Sequence, residues 1–256
     1  MRHVLFILVL AAAAISAAFL LLPGDQERFA IAMRDGHPEQ AFAIARQQSP
    51  EDSTPSDLFA FYKLALQLGD TQTAEAYLLA CLKRDPDALK ARQELVRFYR
   101  ETQDDLNYRR SLADLFRRNP SPAAFQELVG LYRMAGDVKG EIQTFEEGKR
   151  ANVVHDFDIA RAGMIYAATG RPDAAAVTLS RIPRTRFADF RQAELTYLTL
   201  LVRKNQSAEA LETALAMRRA APGAHDVILQ VLEGDPGAYA LFQASPQQAG
   251  KGAPAR

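Results

Sequence analysis

The chain has 256 residues, 48% of them apolar and 24% charged, which is enough to bury a substantial core and excludes a wholly disordered or collagen-like protein. Lys and Arg total 31 and Asp and Glu total 31, so no net field draws the molecule to nucleic acid or to an anionic surface, and no nucleic-acid partner is expected. The single cysteine, Cys81, excludes an intramolecular disulfide and any CxxC metal or redox pair; set among Leu79, Ala80 and Leu82, it reads as a small buried apolar residue.

Residues 4–22 carry no charge and are interrupted only by Ser16. Nineteen residues at about 1.5 Å each span roughly 28 Å, close to the hydrocarbon thickness of a bilayer. Arg2 and His3 precede this run and Pro23, Gly24 and Asp25 follow it, so the positive-inside rule keeps the N-terminus in the cytoplasm. The expectation is a single-pass protein of the bacterial inner membrane with the bulk of the chain in the periplasm. A cleaved signal peptide is the rival reading, with small residues around Ala14, Ser16 and Ala18, and would release the chain into the periplasm. The apolar run continues through Phe19 to Leu22, beyond that cleavage point, which favours an uncleaved anchor over residues 1–24.

Beyond the anchor a turn punctuation recurs: Gly36, Gly69-Asp70, Gln103-Asp104, Gly136-Asp137, Gly170 and Asn205, at intervals of 33, 34, 33, 34 and 35. Five residues after each turn stands a second column, Ala41, Ala74, Tyr108, Glu141, Ala175 and Ala210. Four residues before each turn stands a third, Ala32, Ala65, Tyr99, Tyr132, Tyr166 and Leu201. Pro50, Pro86, Pro120 and Pro222 close units. Between these marks the apolar residues follow helical spacing, as in Leu58, Phe61, Tyr62 and Ala65, and no stretch alternates long enough to suggest a sheet. Each unit is therefore expected to be two helices of about a dozen residues, joined where Gly or Asn tolerates positive φ. One such unit cannot bury its own apolar face, so neighbours must stack.

The pattern resembles the tetratricopeptide repeat (TPR) family over residues 25–222. The best-matching unit places Leu58, Phe61, Gly69, Ala74, Leu78, Cys81 and Pro86 at the family's positions, and Phe125, Leu128, Tyr132, Gly136, Phe145 and Gly148 give another. The resemblance implies an all-α, right-handed solenoid of about six helix-turn-helix, TPR-like repeats behind an N-terminal transmembrane helix. There are departures: no tryptophan anchors any first helix, Tyr108 and Glu141 stand where a small residue is usual, and the unit near Ile182-Pro183 ends irregularly. Residues 223–244, with Val227, Ile228, Val231 and Leu232, then Gly234-Asp235-Pro236, then Tyr239 and Leu241, read as a capping helix followed by a short helical turn. Residues 245–256 hold two Gly, two Pro and no large apolar residue and read as a disordered tail.

No catalytic constellation is found. His3, His37, His155 and His225 are scattered without a second ligand at metal-competent spacing, and His155-Asp156-Phe157-Asp158 reads as a helix start capped by Asp156. The Gly136 and Gly170 turns lack the strand and the Lys-Ser/Thr of a phosphate loop, and Asp104-Asp105 and Glu146-Glu147 are sequence neighbours pointing different ways. No enzyme activity, no cofactor and no metal are expected.

The resemblance implies that first helices face a concave groove, lined by Lys63, Gln67, Arg97, Arg100, Gln126, Arg133, Arg161 and Arg203, with Phe59 and Phe157 as its aromatic side chains. Every ionisable group in that set is basic, which suits an acidic partner. Arg109-Arg110, Arg117-Arg118 and Arg218-Arg219 fall on second helices, on the outer surface. The function expected is a non-enzymatic protein–protein interaction scaffold or assembly factor tethered to the inner membrane, binding a protein or peptide. The alternative is a component of an exopolysaccharide synthesis or export machine that meets a partner protein or the glycan itself.

Overall fold

The computed structural model describes residues 24–186 and 188–245. The expected anchor and the expected disordered tail lie outside the described residues, apart from Gly24 and Ser245 at their edges. Among the described residues no helix is long and apolar enough to cross a membrane.

The described residues form helices joined by short turns: α1 Asp25–Arg34, α2 Pro38–Gln47, α3 Pro55–Gln67, α4 Thr71–Arg84, α5 Leu89–Glu101, α6 Asp105–Arg118, α7 Pro122–Met134, α8 Val138–Arg150, α9 Asp156–Ala168, α10 Pro172–Leu179, α11 Arg191–Arg203, α12 Ser207–Ala220, α13 His225–Leu232 and α14 Pro236–Ala244. Two 3-10 turns, Arg184–Arg186 and Pro222–Ala224, interrupt the series. The first twelve helices make the six hairpins that the repeat predicts. The irregular hairpin is the fifth, where α10 stops after eight residues while α4, α6 and α12 each run for fourteen.

One piece of backbone chemistry makes each hairpin turn. All six residues of the turn column have left-handed φ: Gly36 at 76°, Gly69 at 78°, Gln103 at 57°, Gly136 at 66°, Gly170 at 73° and Asn205 at 55°. The residue after each turn donates its N–H to the carbonyl four residues before the turn, as in Asp70 to Ala65, Asp104 to Tyr99, Asp137 to Tyr132 and Gln206 to Leu201, all at 2.9–3.0 Å. The turn residue donates to the carbonyl three before it, as in Gly69 to Leu66 at 3.1 Å and Asn205 to Val202 at 3.0 Å. These paired bonds are a Schellman closure, which satisfies carbonyls that the helix end would leave orphaned. The third column thus accepts its hydrogen bond from the residue that follows the turn column. Asp70, Asp104 and Asp137 then start the next helix, each accepting the N–H three residues on. Accepting those bonds holds the Asp70 and Asp104 carboxyls below the usual range.

The second column is where paired helices approach. Ala41, Ala74, Ala175 and Ala210 are fully buried, and the exceptional Tyr108 and Glu141 are also buried, at 6% and 4% exposure. A Cβ at Gly148 would come 2.5 Å from the Phe125 ring, so that close approach is closed to any larger residue without movement of the ring.

The chain divides into two compact units between Leu115 and Phe116, within α6. In the first, Phe61 of α3 sits edge-on between Phe29 of α1 and Tyr77 of α4, at ring separations of 5.1 and 5.5 Å. In the second, one cluster runs from Phe145 through Tyr166, Leu179, Leu198 and Met217 to Ile228 and Phe242. The capping region differs from expectation: after Gly234 the chain forms the nine-residue helix α14 rather than a short turn, because Asp235 accepts the Ala238 N–H at 3.1 Å and Pro236 occupies the first helical turn. Phe242 of α14 is fully buried.

Candidate functional site

The residues expected to line a groove fall on first helices, but the structure gives most of their charges partners. In the first unit, Lys63 and Gln67 are exposed on α3, with the Lys63 ammonium 5.1 Å from the centroid of the Phe59 ring and that of Lys90 at 5.4 Å. Arg97 on α5 pairs with Glu94, one turn back, and approaches Glu101 at 3.8 Å. Glu94 also accepts a 3.2 Å bond from the Tyr62 hydroxyl. Arg100 is exposed near the end of α5.

In the second unit the pairing goes deeper. Gln126 on α7 donates to Asp158 on α9 at 3.0 Å, and Asp158 also accepts the His155 N–H at 2.9 Å. That corrects the expected helix cap: α9 begins at Asp156, its capping carboxylate is Asp158, and Asp156 instead accepts from Arg186 at 2.6 Å. Arg133 on α7 and Arg161 on α9 both turn onto Glu141, Arg161 with its Nε and Nη2 and Arg133 with its Nε and Nη2 at 3.4 and 3.3 Å. The Glu141 side chain is 6% exposed and each arginine 38%. A carboxylate so deeply buried needs its charge compensated, and two helices that flank it each supply a guanidinium. Glu141, which breaks the alanine column, is therefore the reason two of the expected cations stand where they do. Arg203, exposed at the end of α11, makes no ion pair among the described residues.

In the second unit a concavity arises where the repeat is broken. After Leu179 the chain leaves α10 into an eleven-residue connection, 180–190. Two arginines pin that connection. Arg184 bonds Glu194 of α11 at 2.5 Å and lies 4.2 Å from the Tyr197 ring centroid, while Arg186 bonds Asp156 of α9 and, at 3.0 Å, Asp189. Glu194 is fully buried, and burial pushes its carboxyl up against the opposing pull of Arg184. The end of the connection, Ala188, Asp189 and Phe190, forms one wall of a groove of about 670 Å³ with the start of α11. The floor is one face of α9: Phe157, Ala160, Arg161, Met164, Ile165 and Ala168, at the helical spacing 0, 3, 4, 7, 8, 11. Phe157 is 58% exposed. The Thr196 hydroxyl of α11 donates to the Gln192 carbonyl at 2.8 Å and lies 3.2 Å from the Met164 sulfur of α9.

Sequence reasoning placed Phe157 and Arg161 on this face and missed Met164, Ile165, Phe190 and Arg191. The available signal was the irregular end near Ile182-Pro183, which marks the truncated helix whose connection makes the wall. Chemically the groove offers apolar surface with few polar groups. Among the described residues no three His, Cys, Asp or Glu side chains group closely enough to hold a metal ion.

No protein-family model matches the chain, and no curated protein matches it. Solved structures similar to it include the Naa15/Naa10 complex bound to HypK-THB, at 16% identity and a TM-score of 0.46, covering 88% of this chain and 36% of that one. This chain thus spans about a third of that protein's length. YrrB, described as a TPR protein with an unusual peptide-binding site, is 17% identical over 75% of this chain and 98% of its own, with a TM-score of 0.37. Pseudomonas aeruginosa PilF is 13% identical over 73% of this chain and 88% of its own, with a TM-score of 0.36.

Proposed function

We propose that this chain is a non-catalytic, TPR-like protein–protein interaction scaffold, tethered to the bacterial inner membrane by residues 4–22 with its helical hairpins in the periplasm. The observation that supports binding most directly is the groove between α9 and α11. It is built by a break in an otherwise regular repeat, its volume lies in the range of ligand sites, and it leaves the large apolar side chain of Phe157 in water. The tether reading rests on the length and flanking charges of the N-terminal apolar run.

A photoreactive phenylalanine analogue at position 157, irradiated in intact cells, tests the binding reading. Cross-links to a protein, absent when the analogue stands at Val177, which is 70% exposed on the second helix of the hairpin, are the expected result. Equal labelling from both positions, or none from 157, refutes it. Intact mass of the membrane-extracted protein tests the tether: a mass lacking about the first 18 residues refutes the uncleaved anchor, and protection from external protease in spheroplasts refutes the periplasmic side.

A further inference from the structure

The groove's chemistry restricts what can lie in it. From Phe157 to Ala168 the α9 face covers twelve residues, eleven rises of about 1.5 Å or about 16 Å. That length matches three turns of a second helix or about five residues of extended chain. Backbone hydrogen bonding decides between them. The floor is a helix whose own N–H and C=O groups are bonded within it, and the lining side chains are mostly apolar. An extended segment would bring main-chain donors and acceptors against this apolar floor, where few side chains, Arg191 and Gln192 at the start of α11 among them, stand exposed to bond them, whereas a helix arrives with its backbone already satisfied.

Charge adds a second restriction. Of the three ionisable lining residues, Arg161 is held by Glu141 and Asp189 by Arg186. The third, Arg191, is exposed at the start of α11 and makes no ion pair among the described residues. One uncompensated cation at one end of an otherwise balanced rim fits a single carboxylate, and a ligand rich in acidic residues finds no matching row of free cations there.

We infer that the groove between α9 and α11 seats one amphipathic helix of about three turns from a partner protein, with aliphatic side chains at positions i, i+3 or i+4, and i+7 against Phe157, Met164 and Ile165, and an acidic residue at the end beside Arg191. This rests on the reading of the chain as an interaction scaffold and names the class of ligand that its groove accepts. Binding is driven by apolar contact, so it depends little on salt.

The test uses the full chain in lipid nanodiscs and a phage-displayed library of random 16-residue peptides; the enriched peptides are synthesised and their affinity measured by fluorescence anisotropy. The expected peptides carry the i, i+3/i+4, i+7 apolar period, become helical on binding, and lose affinity when proline is placed mid-sequence. They bind at least tenfold more weakly to Phe157→Asp and to Ala168→Glu, substitutions at exposed positions at opposite ends of the groove floor, after circular dichroism shows both variants folded. Arg191→Ala weakens only the peptides with the terminal acid, by about three- to tenfold. Enriched peptides that are extended, proline-rich or polyacidic and still sense Phe157→Asp overturn the helix and leave the scaffold reading standing. Peptides indifferent to Phe157→Asp, or no enrichment at all, overturn the inference; with no cross-link from position 157 as well, the scaffold reading falls with it.

Discussion

Replacing Arg161 with leucine removes one of the two guanidinium groups that hold the Glu141 carboxylate. Taking one partner from a fully buried pair costs about 3–5 kcal/mol, most of it the penalty of an uncompensated buried charge. Here Glu141 is 6% exposed, but Arg133 remains at 3.3–3.4 Å and is itself 38% exposed, so water and the second arginine relieve part of the loss. The expected cost is about 1.5–2.5 kcal/mol, seen as a fall of about 4–8 °C in the thermal unfolding midpoint. The informative comparison is a double-mutant cycle. Glu141→Ala restores the residue that four of six hairpins use at this place and frees both arginines to solvent, so it should cost less than about 1 kcal/mol. In the Glu141→Ala background, Arg161→Leu should then be neutral to within about 0.5 kcal/mol. If Arg161→Leu costs the same in both backgrounds, Arg161 and Glu141 are not coupled, and Arg161 is instead an uncommitted cation of the binding face.

Ala74→Glu places a carboxylate at a fully buried position and should cost about 3–5 kcal/mol; unchanged thermal unfolding would show that the alanine column is not a packing column. Gln103 holds φ 57° without being Gly, so Gln103→Gly should raise stability by about 0.5–1 kcal/mol in urea titration, and a lowered midpoint contradicts a strained turn. Glu194 has its carboxyl pushed above the usual value near 4.5, so the folded state binds its proton more tightly than the unfolded one. The stability it contributes is present below that value and is lost as pH rises through the folded pKa. The stability of the parent relative to Glu194→Gln should therefore decline as pH is raised from about 4 toward 7, and a difference that stays flat or grows refutes the assignment.

The repeat was legible in the sequence because it is written in local chemistry. A residue that must take positive φ, the Asp that caps the next helix and the small residue where two helices touch all lie within a dozen positions of one another. Gly69, Asp70, Ala74 and Asn205 could be read in that way, and even Gln103 was placed correctly by interval, since the closure it makes runs between neighbouring turns of one helix. The length and polarity of α14 were harder to read, because Gly234 and Pro236 look like terminators and only the Asp235 cap shows that a new helix starts there.

The candidate site was legible only in part, for a physical reason. Helical spacing fixes which side chains share a face, so Phe157 and Arg161 could be placed beside one another from the sequence. It does not fix what approaches that face from a residue 20 or 30 positions away. Arg161 looked like a free cation until Glu141, from the preceding hairpin, was found beneath it, and Arg186 reaches Asp156 across 30 positions to pin a connection that no periodicity describes. The sequence alone determined the hairpins, their turns and their packing columns, because those interactions are short in chain distance and repeat. Only the tertiary structure decided which charges are compensated and where the groove lies, because both depend on a truncated helix and on pairs of side chains that meet through folding.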